Sequence, residues 1–181
     1  MSCLNDLLIS KVRVKVLELF YKNPDEMYYV REITRLVKEE INAVRRELER
    51  MLDCGLLKSE QRGNRLYYYL NKRYLYHQEL QRIVAKSTGL GKKIRRNRRK
   101  LGTLSYVMFS GTFTNRQQAK PDELDILVVG DVVLPELEEL IRAEQKELGR
   151  EINYAVLSAD EFEFRKTRRD PFVMEVLYGV R

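Results

Sequence analysis

Two stretches of this 181-residue chain hold residue types whose spacing could do chemistry. In the first, the turn Phe109-Ser110-Gly111-Thr112 is followed after ten residues by Glu123-Leu124-Asp125. Backbone N–H groups of a glycine turn at a helix N-terminus can cradle phosphates. Residues i and i+2 of a strand project to one side, so Glu123 and Asp125 are expected to converge as two carboxylates suited to Mg²⁺. The second stretch is INAVRRELERMLDCGLL, residues 41–57. Ile41, Val44, Leu48, Met51 and Leu52 form one apolar stripe, which leaves Asn42, Arg45, Arg46 and Glu49 on the opposite face. Asn can pair bidentately with adenine and Arg with guanine. On its own, an arginine pair on such a face is more often only the solvated side of a core helix.

These residues need elements to hold them. Leu8, Val12, Val16, Leu19 and Phe20 recur at helical spacing, and Asn23-Pro24 ends that helix. YYVREITRLVK reads as a short helix with Val30, Ile33, Leu36 and Val37 inward. The arginine-bearing helix follows and stops at Gly55. GLLKSEQ and RLYYYLN then form a hairpin around Arg62-Gly63-Asn64. Residues 74–86 read as a further helix with Leu75, Leu80, Ile83 and Val84 as its apolar positions. Beyond residue 103 strand-like and helical runs alternate, as in an α/β unit. They are TLSYVMFS, ELDILVVGD, a helix with Pro135 in its first turn and Gly149 at its end, REINYAVLS, and two short helices broken at Asp170-Pro171.

Charge divides the chain in the same place. Residues 1–100 carry 24 Lys and Arg against 12 Asp and Glu, whereas residues 101–181 carry 10 against 15. A basic front and an acidic back imply two modules with different partners, and the basic one attracts polyanions. Seven of the nine residues 92–100 are basic, namely Lys92, Lys93, Arg95, Arg96, Arg98, Arg99 and Lys100. They could be a solvated run, a phosphate clamp, or a contact to acidic groups; an added nucleic-acid contact is favoured. Two cysteines and one histidine are too few for a zinc cluster or a disulfide framework. No apolar run is long enough to span a membrane and no secretory signal is evident, so the expected compartment is the cytoplasm.

The order helix, short helix, turn, helix, hairpin resembles the winged helix-turn-helix domains of prokaryotic transcriptional regulators of the ArsR/MarR-like type, over residues 8–73. The resemblance is carried by Tyr29-Val30-Arg31-Glu32-Ile33, Val44-Arg45-Arg46-Glu47-Leu48, Gly55-Leu56-Leu57, and Gly63 with the tyrosines at 67–69. It implies double-stranded DNA as partner and a homodimer as the working form. Base contacts would then come from Asn42, Arg45 and Arg46, a phosphate contact from Lys38, wing contacts from Arg62, Asn64 and Arg65, and further phosphate contacts from Lys92, Lys93, Arg95 and Arg96. Many metal-sensing members use Cys/His clusters, which are lacking here, so metal sensing is not inferred.

The second module resembles the minimal nucleotidyltransferase domains of the polymerase-β superfamily, through Ser110, Gly111 and Thr112 at the nucleotide turn and Glu123 and Asp125 at the metal position. That resemblance implies Mg²⁺ and a nucleoside triphosphate. Three departures oppose catalysis: Glu123 stands where Asp is usual, Asn153 stands where a third carboxylate is expected, and the loop TNRQQAK is bulky and polar. An amide cannot act as a base, so no catalytic residue is assigned. The combination, including GREINYAVLSADEFEFR and DPFVMEVLYG, resembles a group of bacterial and archaeal regulator-type proteins.

The expected fold class is therefore α+β. A winged helix-turn-helix domain spans 1–86, a basic linker helix 87–103, and a small α/β nucleotidyltransferase-like domain 104–181. The expected function is DNA-binding regulation, with a degenerate, non-catalytic second domain that senses a nucleotide, holds a partner or is a relic. One alternative is an active Mg²⁺-dependent nucleotidyltransferase that the winged helix targets. Another is a repressor gated by Mg²⁺-bound nucleotide.

Overall fold

The structure is a computed structural model that describes residues 10–115 and 123–178. Leu8, assigned above to the first helix face, and most of the TNRQQAK loop lie outside the described residues. The chain is mixed α+β, with two small sheets of three strands each among the described residues. It divides into two compact units, Met1–Ser87 and Thr88–Arg181.

In the first unit, α1 (Lys11–Lys22) starts at Ser10, whose hydroxyl accepts the Arg13 N–H and satisfies one orphan donor of the first turn. The strand β1 (Tyr28–Tyr29) leads into α2 (Val30–Val37), and a three-residue turn leads to α3 (Ile41–Asp53). The hairpin strands are β2 (Leu57–Arg62) and β3 (Arg65–Leu70), and α4 (His77–Ser87) follows. The sheet order is β1-β3-β2, antiparallel throughout. Gly63 sits at the first central position of the two-residue hairpin loop with φ +55°, a conformation that glycine takes without strain. Val16, Phe20, Ile33, Val44, Leu48, Met51, Tyr68 and Val84 form one core cluster drawn from all four helices and the hairpin.

Three expectations fail here. The Tyr28-Tyr29 pair is a strand registered on Tyr68 and Tyr67, and does not belong to the helix that follows. Two aromatic residues favour extended backbone, but two residues are too few to show an alternating pattern. Leu36 is 49% exposed, because α2 is short and buries only the Ile33/Val37 edge. Leu75 is exposed as well, because it lies in the turn ahead of α4, which begins at His77 and not at residue 74, and Ile83 is exposed because α4 turns Gln81 and Val84 inward.

The second unit begins with α5 (Gly89–Arg96), then β4 (Gly102–Phe109), the single turn α6 (Gly111–Thr114), β5 (Ile126–Val132), α7 (Leu134–Leu148), β6 (Tyr154–Leu157), α8 (Ala159–Thr167) and α9 (Pro171–Tyr178). The strand order is β4-β5-β6, with β4 antiparallel and β6 parallel to β5. The central strand is buried on both faces from Ile126 to Gly130, which explains its unbroken apolar run. Ile126 and Val128 join Leu90 and Ile94 of α5 and Leu137 and Ile141 of α7. Leu127 and Val129 join Leu157, Phe162 of α8 and Val173 of α9 on the other face. Gly130 is required where β4 crosses closely, because a Cβ there would lie 2.1 Å from the Thr103 carbonyl oxygen.

Candidate functional site

In the first unit the exposed face of α3 carries Asn42, Arg45, Arg46 and Glu49. Val44, Leu48 and Met51 hold the helix from beneath. Glu40 caps it, its carboxylate accepting the N–H groups of Asn42 and Ala43 at 2.8 Å each. Those two bonds hold the Glu40 carboxyl below its ordinary range, with Arg46 and Arg45 adding to the effect.

The helix is also pinned in rotation. Glu47 is buried on its inner edge and accepts Arg13 Nε from α1 at 2.8 Å, while Arg50 reaches the same carboxylate at 3.3 Å. Burial works to raise the Glu47 carboxyl, but hydrogen bonds from Arg13 and Ser10 and the two arginine charges outweigh it and leave it lowered. Lys15 of α1 ties down the turn before α3 through the Val37 carbonyl and the Glu39 carboxylate. Arg13, Lys15, Glu47 and Arg50 were not among the candidates above, although a Glu within an otherwise apolar stripe was the available signal.

Lys38 occupies the turn between α2 and α3 at φ 54°, a left-handed position normally given to Gly or Asn. At the hairpin, Arg62 pairs with Glu60 two residues away, so part of its charge is already answered. Arg65 stacks over the Tyr29 ring at 4.6 Å, and Asn64 is exposed at the loop. The structure thus presents Asn42, Arg45 and Arg46 on one helix face and Arg62, Asn64 and Arg65 at one end of the hairpin.

The basic stretch is divided in role. Lys93 forms ion pairs with Glu144 at 2.9 Å and Glu147 at 2.6 Å, both on α7. Burial lowers the ammonium pKa, but bonds from Glu147 and Glu144 more than reverse that. Leu90 and Ile94 bury the inner face of α5. Arg95, Arg96, Arg98, Arg99 and Lys100 are exposed, and Lys92 is half-buried.

The second constellation lies at the mouth of the β4-β5-β6 sheet. Ser110 caps the single turn α6 by accepting the Phe113 N–H, and its hydroxyl bonds Thr112 at 2.9 Å. The Ser110 N–H donates to the Asp125 carbonyl, which joins the turn to the acidic segment. Glu123 and Asp125 lie just ahead of β5, which begins at Ile126. Asp125 is 1% exposed and meets Arg150 as a bidentate pair, at 3.0 and 3.2 Å. The Asn153 N–H completes its set at 3.1 Å. Asn153 also donates from its side-chain amide to the Glu123 carbonyl, and its own carbonyl accepts the N–H groups of Asp125 and Ile126. It therefore ties the start of β6 to the start of β5.

In this arrangement Asp125 is not open to Mg²⁺. A divalent cation needs carboxylate oxygens that are open to it, and both Asp125 oxygens already accept from a guanidinium. Among the described residues, no group of three or more His, Cys, Asp or Glu is placed to hold a metal. Arg150 was not singled out from the sequence. It sits directly after the Gly149 helix stop and three residues before Asn153, and neither position announces an ion pair.

Among the described residues no helix is long and apolar enough to cross a membrane. No protein-family model matches the chain, and no curated protein matches it. Among solved structures, a possible transcriptional regulator from Methanosarcina mazei Go1 is 14% identical, with a TM-score of 0.36, over 50% of this chain and 78% of that one. Human N-acetylserotonin methyltransferase is 12% identical, with a TM-score of 0.33, over 94% of this chain and 44% of that one. Likenesses this slight carry no argument about what the chain does.

Proposed function

We propose that the chain is a duplex-DNA-binding transcriptional regulator, in which α3 enters the major groove and the β2–β3 hairpin serves as a wing. The observation that carries this reading is the exposed Asn42/Arg45/Arg46 face of α3, backed by the pair of buried Glu47 with half-buried Arg13, which fixes the helix rotation. Side chains that read base edges must be presented in one orientation, and Asn and Arg are the types that do so bidentately. Lys38 and the exposed part of the basic stretch would add phosphate contacts without base readout. The working form is a homodimer on paired half-sites.

The second unit is read as a nucleotidyltransferase-like domain that no longer transfers nucleotides. Its Asp125 is neutralised by Arg150, and Asn153 stands where a third acid would act. A nucleotide held at Ser110–Thr112 as a regulatory ligand belongs to this reading as its effector arm.

Selection from a randomised duplex pool tests the first claim. An enriched sequence, with two half-sites about one helical turn apart for a dimer, is expected. Failure of any sequence to rise above the pool would sink it. Turnover separates the rival: labelled nucleotide joined to an acceptor, and abolished by Asp125→Asn, would make the chain an enzyme.

A further inference from the structure

Docking through α3 and the hairpin tip engages Arg62 and Arg65 but gives no role to the tyrosines beside them on the outer face of the sheet. Side chains alternate across β3, so Tyr68 and Leu70 enter the core while Arg65, Tyr67 and Tyr69 face outward. Tyr29 of β1 stands beside Tyr67, and Lys58, Glu60 and Arg62 of β2 stand opposite Tyr69, Tyr67 and Arg65. The outward groups interleave. Arg65 lies 4.6 Å over the Tyr29 ring, Tyr29 meets Tyr67 edge to face at 5.7 Å, and Arg62 lies 5.9 Å over Tyr67. Glu60 is the one acid in this set, and Arg62 answers it.

An ordinary solvated hairpin face would carry Thr, Lys and Glu in alternation. This face holds three partly exposed tyrosine rings and two exposed guanidinium planes on neighbouring positions of one small sheet. Flat rings and flat cations side by side bind two things together, the π-face of an unstacked base and the phosphate next to it. A duplex cannot offer the first, because its base faces are stacked on one another. A single strand offers both.

We propose that the outer face of the β1-β3-β2 sheet is a stacking platform for single-stranded DNA, with Tyr29, Tyr67 and Tyr69 as base contacts and Arg62, Arg65 and Lys58 as mixed stacking and phosphate contacts. Incoming bases take the place that Arg65 and Arg62 hold over the rings, or continue the stack on the outer plane of each guanidinium. The positive charge of the patch fits a polyanion, and stacking is tolerant of sequence because every base has a π-face. The alternative is that the arginines only stitch the hairpin together, in which case bases add nothing to what phosphates supply.

The experiment uses the full chain and two labelled strands of equal length, about twelve units, which is within the span of known single-strand platforms. One strand is oligothymidylate and the other is an abasic phosphodiester of the same charge. Stacking gives the thymidylate at least about five-fold tighter binding for each base engaged, together with quenching of tyrosine emission. Tyr29→Phe/Tyr67→Phe is expected to keep that preference, and Tyr29→Thr/Tyr67→Thr, which retains strand-forming residues, is expected to lose it. Arg45→Ala/Arg46→Ala is expected to keep single-strand binding while losing the preference for a specific duplex, so this proposal and the duplex reading fail separately. Equal affinity for the two strands overturns the platform, as does a folded Thr variant that still prefers thymidylate. If the Thr variant does not fold, the two-strand comparison on the wild-type chain decides alone.

Discussion

Replacing Arg150 by Ala probes the reading that a guanidinium, and not a metal, neutralises the acidic site. Asp125 is 1% exposed, and the variant would leave its carboxylate accepting from the Asn153 N–H without the guanidinium. Breaking one side of a buried pair costs about 3–5 kcal/mol. The Arg150 side chain is 20% exposed, so the low end applies, about 3 kcal/mol. For a unit of this size that corresponds to a fall in Tm of about 12–24 °C. Asp125→Asn should cost less, since it removes the charge and leaves an amide oxygen for the Asn153 N–H. Asp125→Leu/Arg150→Met should recover most of the loss, because an apolar pair carries no desolvation penalty. Thermal unfolding followed by far-UV circular dichroism reads all three, and millimolar Mg²⁺ should leave the wild-type midpoint unchanged. A loss below about 1 kcal/mol in Arg150→Ala, the worth of an exposed ion pair, would refute the reasoning. So would a wild-type protein that Mg²⁺ stabilises.

Other outcomes follow from single residues. Burial, and secondarily the Lys72 charge, lower the His77 pKa in a pocket where its ring stacks on Tyr21. The unfolded chain therefore takes up the proton first, and the first unit should lose stability as pH falls below about 6.5 and level off beneath the folded pKa; pH-dependent urea unfolding should show this in wild type and not in His77→Phe. Lys38→Gly relieves the left-handed strain and should stabilise the first unit by about 1 kcal/mol, yet weaken duplex binding and reduce the salt slope by about one. Glu47→Gln removes the charged partner of Arg13 and should cost about 1–3 kcal/mol, while lowering sequence discrimination more than non-specific binding in a duplex titration. Neutralising Arg95, Arg96, Arg98 and Arg99 should flatten the dependence of log K on log salt, whereas Lys93→Gln should act mainly on thermal stability, through Glu144 and Glu147.

The long periodic segments were legible in the sequence because burial imposes its period directly. The α3 stripe, the buried β5 run and the Gly55 and Gly149 stops all read from spacing and composition. The β1 strand was not, since two residues make no pattern and their partner lies some forty positions away in β3. Leu36 and Ile83 show that an apolar residue at helical spacing need not face the core when the helix is short or buries only one edge, and Leu75 falls in the turn before its helix starts. At the acidic site the sequence displayed Asp125 and Asn153 but concealed Arg150, because which charge meets which depends on the approach of β6 to β5. Lys93 is similar: within a run of like charges nothing distinguishes the side chain that faces Glu144 from those that face solvent.

The central claim, that α3 reads duplex DNA, is tested most directly by fluorescence anisotropy with labelled duplex from the region upstream of the chain's own coding sequence, against random duplex at near-physiological salt. The account expects a preference of about 10³ or more. It also expects Arg45→Ala/Arg46→Ala to reduce binding of the preferred duplex by about 30-fold or more, at 1–3 kcal/mol for each bidentate pair, with binding to random duplex much less affected. Equal, weak binding to both duplexes, unaltered by the double substitution, would contradict it.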